Sequence, residues 1–107
     1  MLEIMTYSEL SEEKRRKIRI IELMAKNSSY LADVKTRTNP HLARFMYIVS
    51  SHQFSELSRT LTEYGMFYFS ENAVKSAREC GKKACELENA LNSKKAENYK
   101  TAVNAEY

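Results

Sequence analysis

The chain has little of what turns and membrane spans require: two glycines, one proline, and no apolar run near the ~20 residues that cross a bilayer. All-β folds need many turn residues, and apolar/polar alternation is absent as well, so the composition points to helices joined by short connections. The N-terminal residues lack a basic region followed by a hydrophobic signal core. An intracellular, cytoplasmic protein with no membrane partner is expected. The two cysteines, Cys80 and Cys85, are five residues apart, about 140° around a helix, and cannot bond each other within it. They read as reduced thiols.

Catalytic and metal signatures are equally sparse. His41 and His52 lie ~16 Å apart along a continuous helix and cannot share one metal. There is no HExxH or CxxC pair, no phosphate-cradling glycine loop around Gly65 or Gly81, and no nucleophile elbow. Serines are plentiful, but no motif places a base and an orienting partner beside one. The pairs Glu12–Glu13 and Glu86–Glu88 sit in charge-alternating helix surfaces. The expectation is a non-enzymatic protein with no cofactor and no metal.

What is present is helical patterning. Across 107 residues, one domain is expected, with residues 93–107 as a helical extension or a loosely ordered tail. Asn39 reads as an N-cap and Pro40 as the first helical residue. Leu42, Phe45, Met46, Val49, Leu57, Leu61 and Tyr64 then recur at three- and four-residue spacing as the core face of a long central helix that Gly65 ends. Ser50-Ser51-His52-Gln53 is its weak point, where it is expected to kink or split. Upstream, Met1–Met5 is a lead-in, and Thr6 with Glu9 forms a capping box. Leu10, Lys14, Ile18, Ile21 and Ala25, broadened by Leu23 and Met24, mark a first helix to about Lys26. Asn27-Ser28-Ser29 interrupts it, and Tyr30, Leu31 and Val34 suggest a short second helix. Ser70 caps the last long helix, on which Ala73, Ala77, Cys80, Ala84, Leu87 and Leu91 step by four, three, four, three and four as a narrow packing seam. The fold class is therefore all-α: a compact bundle of four or five helices with a long central and a long C-terminal helix.

Charge supplies the first candidate site. The 17 basic and 14 acidic side chains leave +3. Lys14 to Arg44 alone holds nine basic residues against Glu22 and Asp33, a net of +7, so the remainder is acidic by four. Lys14, Arg15, Arg16, Lys17 and Arg19 fan around the first helix, and Lys35, Arg37 and Arg44 extend them into a face suited to a polyanion or an acidic protein surface. A merely solvated face has the same composition. The aromatic connection Tyr64 to Phe69 is the second candidate, with Tyr68 its foremost contact residue and Tyr47 off the main stripe; burial between helices is the commoner fate of such residues. The Ala73–Leu91 seam is the third, packing either inside the chain or against a second copy.

These features together point to a small interaction protein that binds, and inhibits or modulates, a larger protein or nucleoprotein complex. In size and composition the chain is similar to stoichiometric inhibitors encoded by phages and mobile elements, anti-CRISPR proteins among them, which would place it in a host cytoplasm. Two alternatives stand beside this: direct DNA or RNA binding through the basic face, and a homodimer or larger homo-oligomer through the C-terminal seam.

Overall fold

The computed structural model describes residues 7–105. Among them the fold is all helical, with three long helices: α1 (Glu12–Lys35), α2 (Pro40–Glu63) and α3 (Phe67–Ala105), preceded by a 3₁₀ turn at Tyr7–Glu9. The all-α class holds, while the count is three rather than four or five. Nor is the bundle compact. It measures 72 × 25 × 13 Å with a radius of gyration of 19.1 Å, against about 13 Å for a compact chain of this length. The cause is α3, whose 39 residues span about 58 Å and outrun the two 24-residue helices beside it. Residues 93–105 continue α3 as helix.

The ends of the helices are set by local chemistry. Ser11 caps α1 by accepting from the Lys14 N–H, one turn later than the Thr6–Glu9 box, of which Thr6 and the Met1–Met5 lead-in lie outside the described residues. Asn39 Oδ1 accepts from the Leu42 N–H at 3.1 Å, with Pro40 opening α2, as the sequence order requires. Gly65, at φ 77°, closes α2 in a Schellman arrangement: the Met66 N–H reaches the Leu61 carbonyl at 2.8 Å and the Gly65 N–H that of Thr62 at 3.0 Å. Met66 is thereby folded into the core beside Leu61.

Both expected interruptions are absent, and for one reason. Serine breaks helices when its hydroxyl competes for its own backbone. Here the hydroxyls are occupied across the helix interfaces. Ser28 donates to Gln53 Oε1 at 2.8 Å, Ser50 to the Ala25 carbonyl at 2.7 Å, and Ser51 to the Ala77 carbonyl at 2.9 Å. Asn27-Ser28-Ser29 and Ser50-Ser51-His52-Gln53 therefore run through α1 and α2 as regular helix. Farther down α2, Ser58, Thr62 and Ser70 share hydroxyl bonds of 2.6–2.9 Å, so Ser70 stitches α3 to α2 while α3 itself starts at Phe67.

The core is a set of heptad-like seams of mostly small residues. On α1 it is Ile18, Ile21, Ala25, Ser28 and Ala32; on α2, Ala43, Tyr47, Ser50, Phe54, Leu57 and Leu61; on α3, Ser70, Ala73, Ala77, Cys80 and Ala84. α2 lies in the middle and packs on both neighbours. The central-helix face read from the sequence is rotated from the observed one. Leu57 and Leu61 are buried, Met46, Val49 and Tyr64 are half-buried, and Leu42 and Phe45 face outward, whereas Tyr47, placed off the stripe, is in the core. Ala43 and Ser50 disguised the true stripe, being too small or too polar to register as core. Lys14, Leu23 and Met24, assigned to the α1 stripe, are likewise exposed.

Candidate binding surface

The C-terminal seam is used inside the chain. Ala73, Ala77, Cys80 and Ala84 are buried against α2, and Leu87 packs at the margin of the same core with Leu91 half-buried after it. Their small side chains let α3 approach closely enough for the Cys80 thiol to sit 3.5 Å from Ser50 Oγ. Most of that face is therefore covered within the chain. Cys80 is a buried free thiol and Cys85 an exposed one.

The basic residues do not converge into one patch. Lys14 places its ammonium 5.0 Å from the Tyr64 ring centre, and Arg16 pairs with Glu12 at 3.5 Å. Arg15, Lys17 and Arg19 occupy the first turns of α1 without an ion-pair partner among the described residues, as do Lys35, the last residue of α1, and Arg37, in the turn after it. Lys17 and Lys35 are separated by about 27 Å of helix. Arg44 belongs to a different surface: it turns toward α3 and pairs with Glu88 at 3.5 Å, its Nε buried without a hydrogen bond.

Between the two basic ends runs an exposed apolar face that the sequence reading missed. Ile20, Leu23, Met24, Tyr30, Leu31 and Val34 are between 46% and 68% exposed. At ~100° per residue they centre on the side of α1 opposite Ile21, Ala25, Ser28 and Ala32. Tyr30, Leu31 and Val34 are thus neither a separate helix nor core. Their open surface, with that of Ile20, Leu23 and Met24, is on the order of 500 Å², at the upper range of what a soluble monomer leaves bare in one patch. The available signal was a second heptad-spaced set, Ile20-Met24-Asn27-Leu31-Val34, interleaved with the buried one.

A second exposed group closes one end of the molecule. Phe67, Tyr68 and Phe69 open α3 outward, Tyr68 most of all at 68%, with the Tyr68 and Phe69 rings edge to face at 5.7 Å. The expected burial of this connection does not occur, because the Schellman turn commits Met66 to the core and leaves the next three aromatics outside. Phe69 and Tyr7 contribute to a groove of about 320 Å³ between α1 and α3, floored by Phe54, Leu57 and Leu61.

A polar cluster ties all three helices near the other end. The Tyr47 hydroxyl donates to Asp33 Oδ1, and Lys83 Nζ lies 3.5 Å from the same oxygen and 5.5 Å from the Tyr47 ring centre. Burial, then the bond to Asp33, pushes the Tyr47 phenol above its ordinary value. Burial works to lower the Lys83 ammonium, but the Asp33 carboxylate and Tyr47 beside it carry it above the usual lysine value. The arrangement is a clamp that joins α1, α2 and α3 through one carboxylate oxygen.

His41 and His52 are exposed on α2, and no group of three potential metal ligands forms among the described residues. No helix of the described residues is long and apolar enough to cross a membrane. No family model, curated protein or solved structure matches the chain.

Proposed function

We propose that the chain is a small binding protein that modulates or inhibits a larger protein or nucleoprotein complex by occupying one of its surfaces, with the outer face of α1 as the contact. One observation carries this reading: a single helix holds two apolar faces, one of which is consumed by the core while the other, with the larger side chains, stands in solvent. Leaving such side chains bare is unfavourable by about 25 cal/mol per Å² relative to burying them, and a partner recovers that energy. Exposed Tyr68 and its aromatic neighbours offer a secondary contact of the composition that binding hot spots favour. Direct binding of nucleic acid has less support, since phosphate contact uses a continuous track of cations and here an apolar stripe separates two short ones.

The test compares wild type with Leu23→Glu/Leu31→Glu as bait in a lysate of the source cells. A protein retained by wild type and lost by the variant, with matching thermal melts, is the expected result. Equal recovery, or none by either bait, overturns the assignment. Anisotropy of labelled duplex DNA and RNA across a salt series addresses the other reading: tight, salt-steep binding that survives Leu23→Glu/Leu31→Glu would establish a phosphate-driven function instead.

A further inference from the structure

The outer face of α1 has the construction of a coiled-coil seam without its opposing helix. Ile20, Met24, Asn27, Leu31 and Val34 step by four, three, four and three, the spacing that keeps one stripe turned toward a neighbouring helix. Lys17 continues the stepping one turn earlier, and Lys35 and Arg37 follow Val34. None of these three cations has an ion-pair partner among the described residues. Resting on the reading of this face as the contact surface, we propose that its occupant is an amphipathic helix of a different protein, apolar along its own seam and carrying carboxylates opposite the two basic ends.

Charge placement selects this occupant over a second copy. In a parallel self-pair Lys17, on the seam, meets Lys17. In an antiparallel pair whose seams match, Ile20 lies beside Leu31 and Lys17 beside Val34, which brings Lys35 against the Lys14–Lys17 turn of the other copy. Either orientation sets like charges against each other, which weakens pairing and specifies against it. Three of the four carboxylates of α1 are engaged within the chain, Glu12 by Arg16, Glu22 by Lys26 and Asp33 by Tyr47 and Lys83, and the fourth, Glu13, is followed by the four consecutive cations Lys14 to Lys17. Asn27 argues against a lipid surface, because a carboxamide at the centre of the stripe is misplaced among acyl chains, whereas within a helix pair it can bond across and fix the register.

The probe is a labelled synthetic peptide of about four heptads with Leu along the seam and Glu at the flanking positions. Two controls keep the length: one has the same seam with Lys flanks, the other has Glu flanks with a Ser seam. Binding to the full chain is read by anisotropy. The Leu/Glu peptide is expected to bind roughly tenfold or more tightly than the Leu/Lys peptide, a difference of about 1.4 kcal/mol. Lys17→Glu/Lys35→Glu/Arg37→Glu should invert that preference, and Leu31→Glu should abolish it with the melt unchanged. The Ser-seam peptide should not bind. Equal affinity for the two Leu peptides overturns the proposal, as does equal affinity for the Ser-seam peptide or for anionic vesicles, which would reveal attraction to negative charge alone. A wild-type dimer in sedimentation that Leu31→Glu converts to monomer overturns it in favour of a second copy. If the Leu/Glu peptide fails while Leu23→Glu/Leu31→Glu still loses a cellular partner, this inference falls and the binding face stands. If that comparison fails too, both fall.

Discussion

The two faces of α1 share a helix, a heptad-like spacing and an apolar character, yet one is inside and the other outside. The inner face is Ile18, Ile21, Ala25, Ser28 and Ala32; the outer is Ile20, Leu23, Met24, Tyr30, Leu31 and Val34. The larger side chains are the exposed ones. Burial here follows fit rather than size, because α2 approaches α1 along residues small enough for Ser50 Oγ to reach the Ala25 carbonyl at 2.7 Å. A leucine stripe would hold the helices farther apart and forfeit those interhelical bonds. The outer stripe is thus surplus to this fold, and its cost in solvent is the argument that it serves an association.

The comparison breaks most directly through truncation on either side. Leu57→Ala, in the core beneath α1 and α3, should cost about 2–5 kcal/mol by urea denaturation, whereas Leu23→Ala on the outer face should stay within about 0.5 kcal/mol. A Leu23→Ala loss of similar size would mean that the outer face packs within the chain. Next in magnitude is a substitution that raises apolarity where close approach matters. Ser50 is fully buried, and Ser50→Leu should destabilise by about 1–3 kcal/mol despite making the stripe more hydrophobic. A neutral or stabilising result would refute the view that smallness, not apolarity, defines the inner seam.

The legible parts of this fold were those encoded in one residue's own chemistry. Asn39-Pro40 and Gly65 bound α2 because a cap, a fixed φ and a left-handed turn are local demands, and the alanine-rich α3 seam was legible because its regular spacing has no competing stripe. The helix count and the α1 and α2 faces were not. Ser28, Ser50 and Ser51 read as breaks because the carbonyls and amides that engage them belong to residues about 25 positions away. The exposed apolar face of α1 stayed hidden for a related reason: Leu23, Met24 and Leu31 look like core to any measure of hydrophobicity, and only the position of α2 shows that the core is elsewhere. The basic fan at Lys14 to Arg19 was legible as charge, but its separation from Lys35 and Arg37 by an apolar stripe depends on α1 being one continuous helix.

The smallest effect tests the clamp that holds the inner side together. Tyr47→Phe keeps the ring in the core and removes the hydroxyl that bonds Asp33, which should cost about 1 kcal/mol near neutrality. Tyr30→Phe, on the outer face with no hydrogen bond among the described residues, should change stability by less than about 0.5 kcal/mol. The Tyr47 difference should also depend on pH, with a sign fixed by its raised pKa. A phenol whose folded pKa exceeds the unfolded value of 10.0 keeps its proton when the unfolded chain has begun to lose it. Its contribution is fully present below pH 10 and declines as pH rises toward the folded pKa. Lys83, raised above 10.5, adds a loss in the same window, as its ammonium and the Asp33 carboxylate cease to attract. The gap between wild type and Tyr47→Phe should therefore narrow above pH 10, because the variant lacks the phenol that titrates. A gap that stays constant through that range would show that the Tyr47 hydroxyl bond does not couple α2 to α1, leaving the packed seam alone to distinguish the two faces.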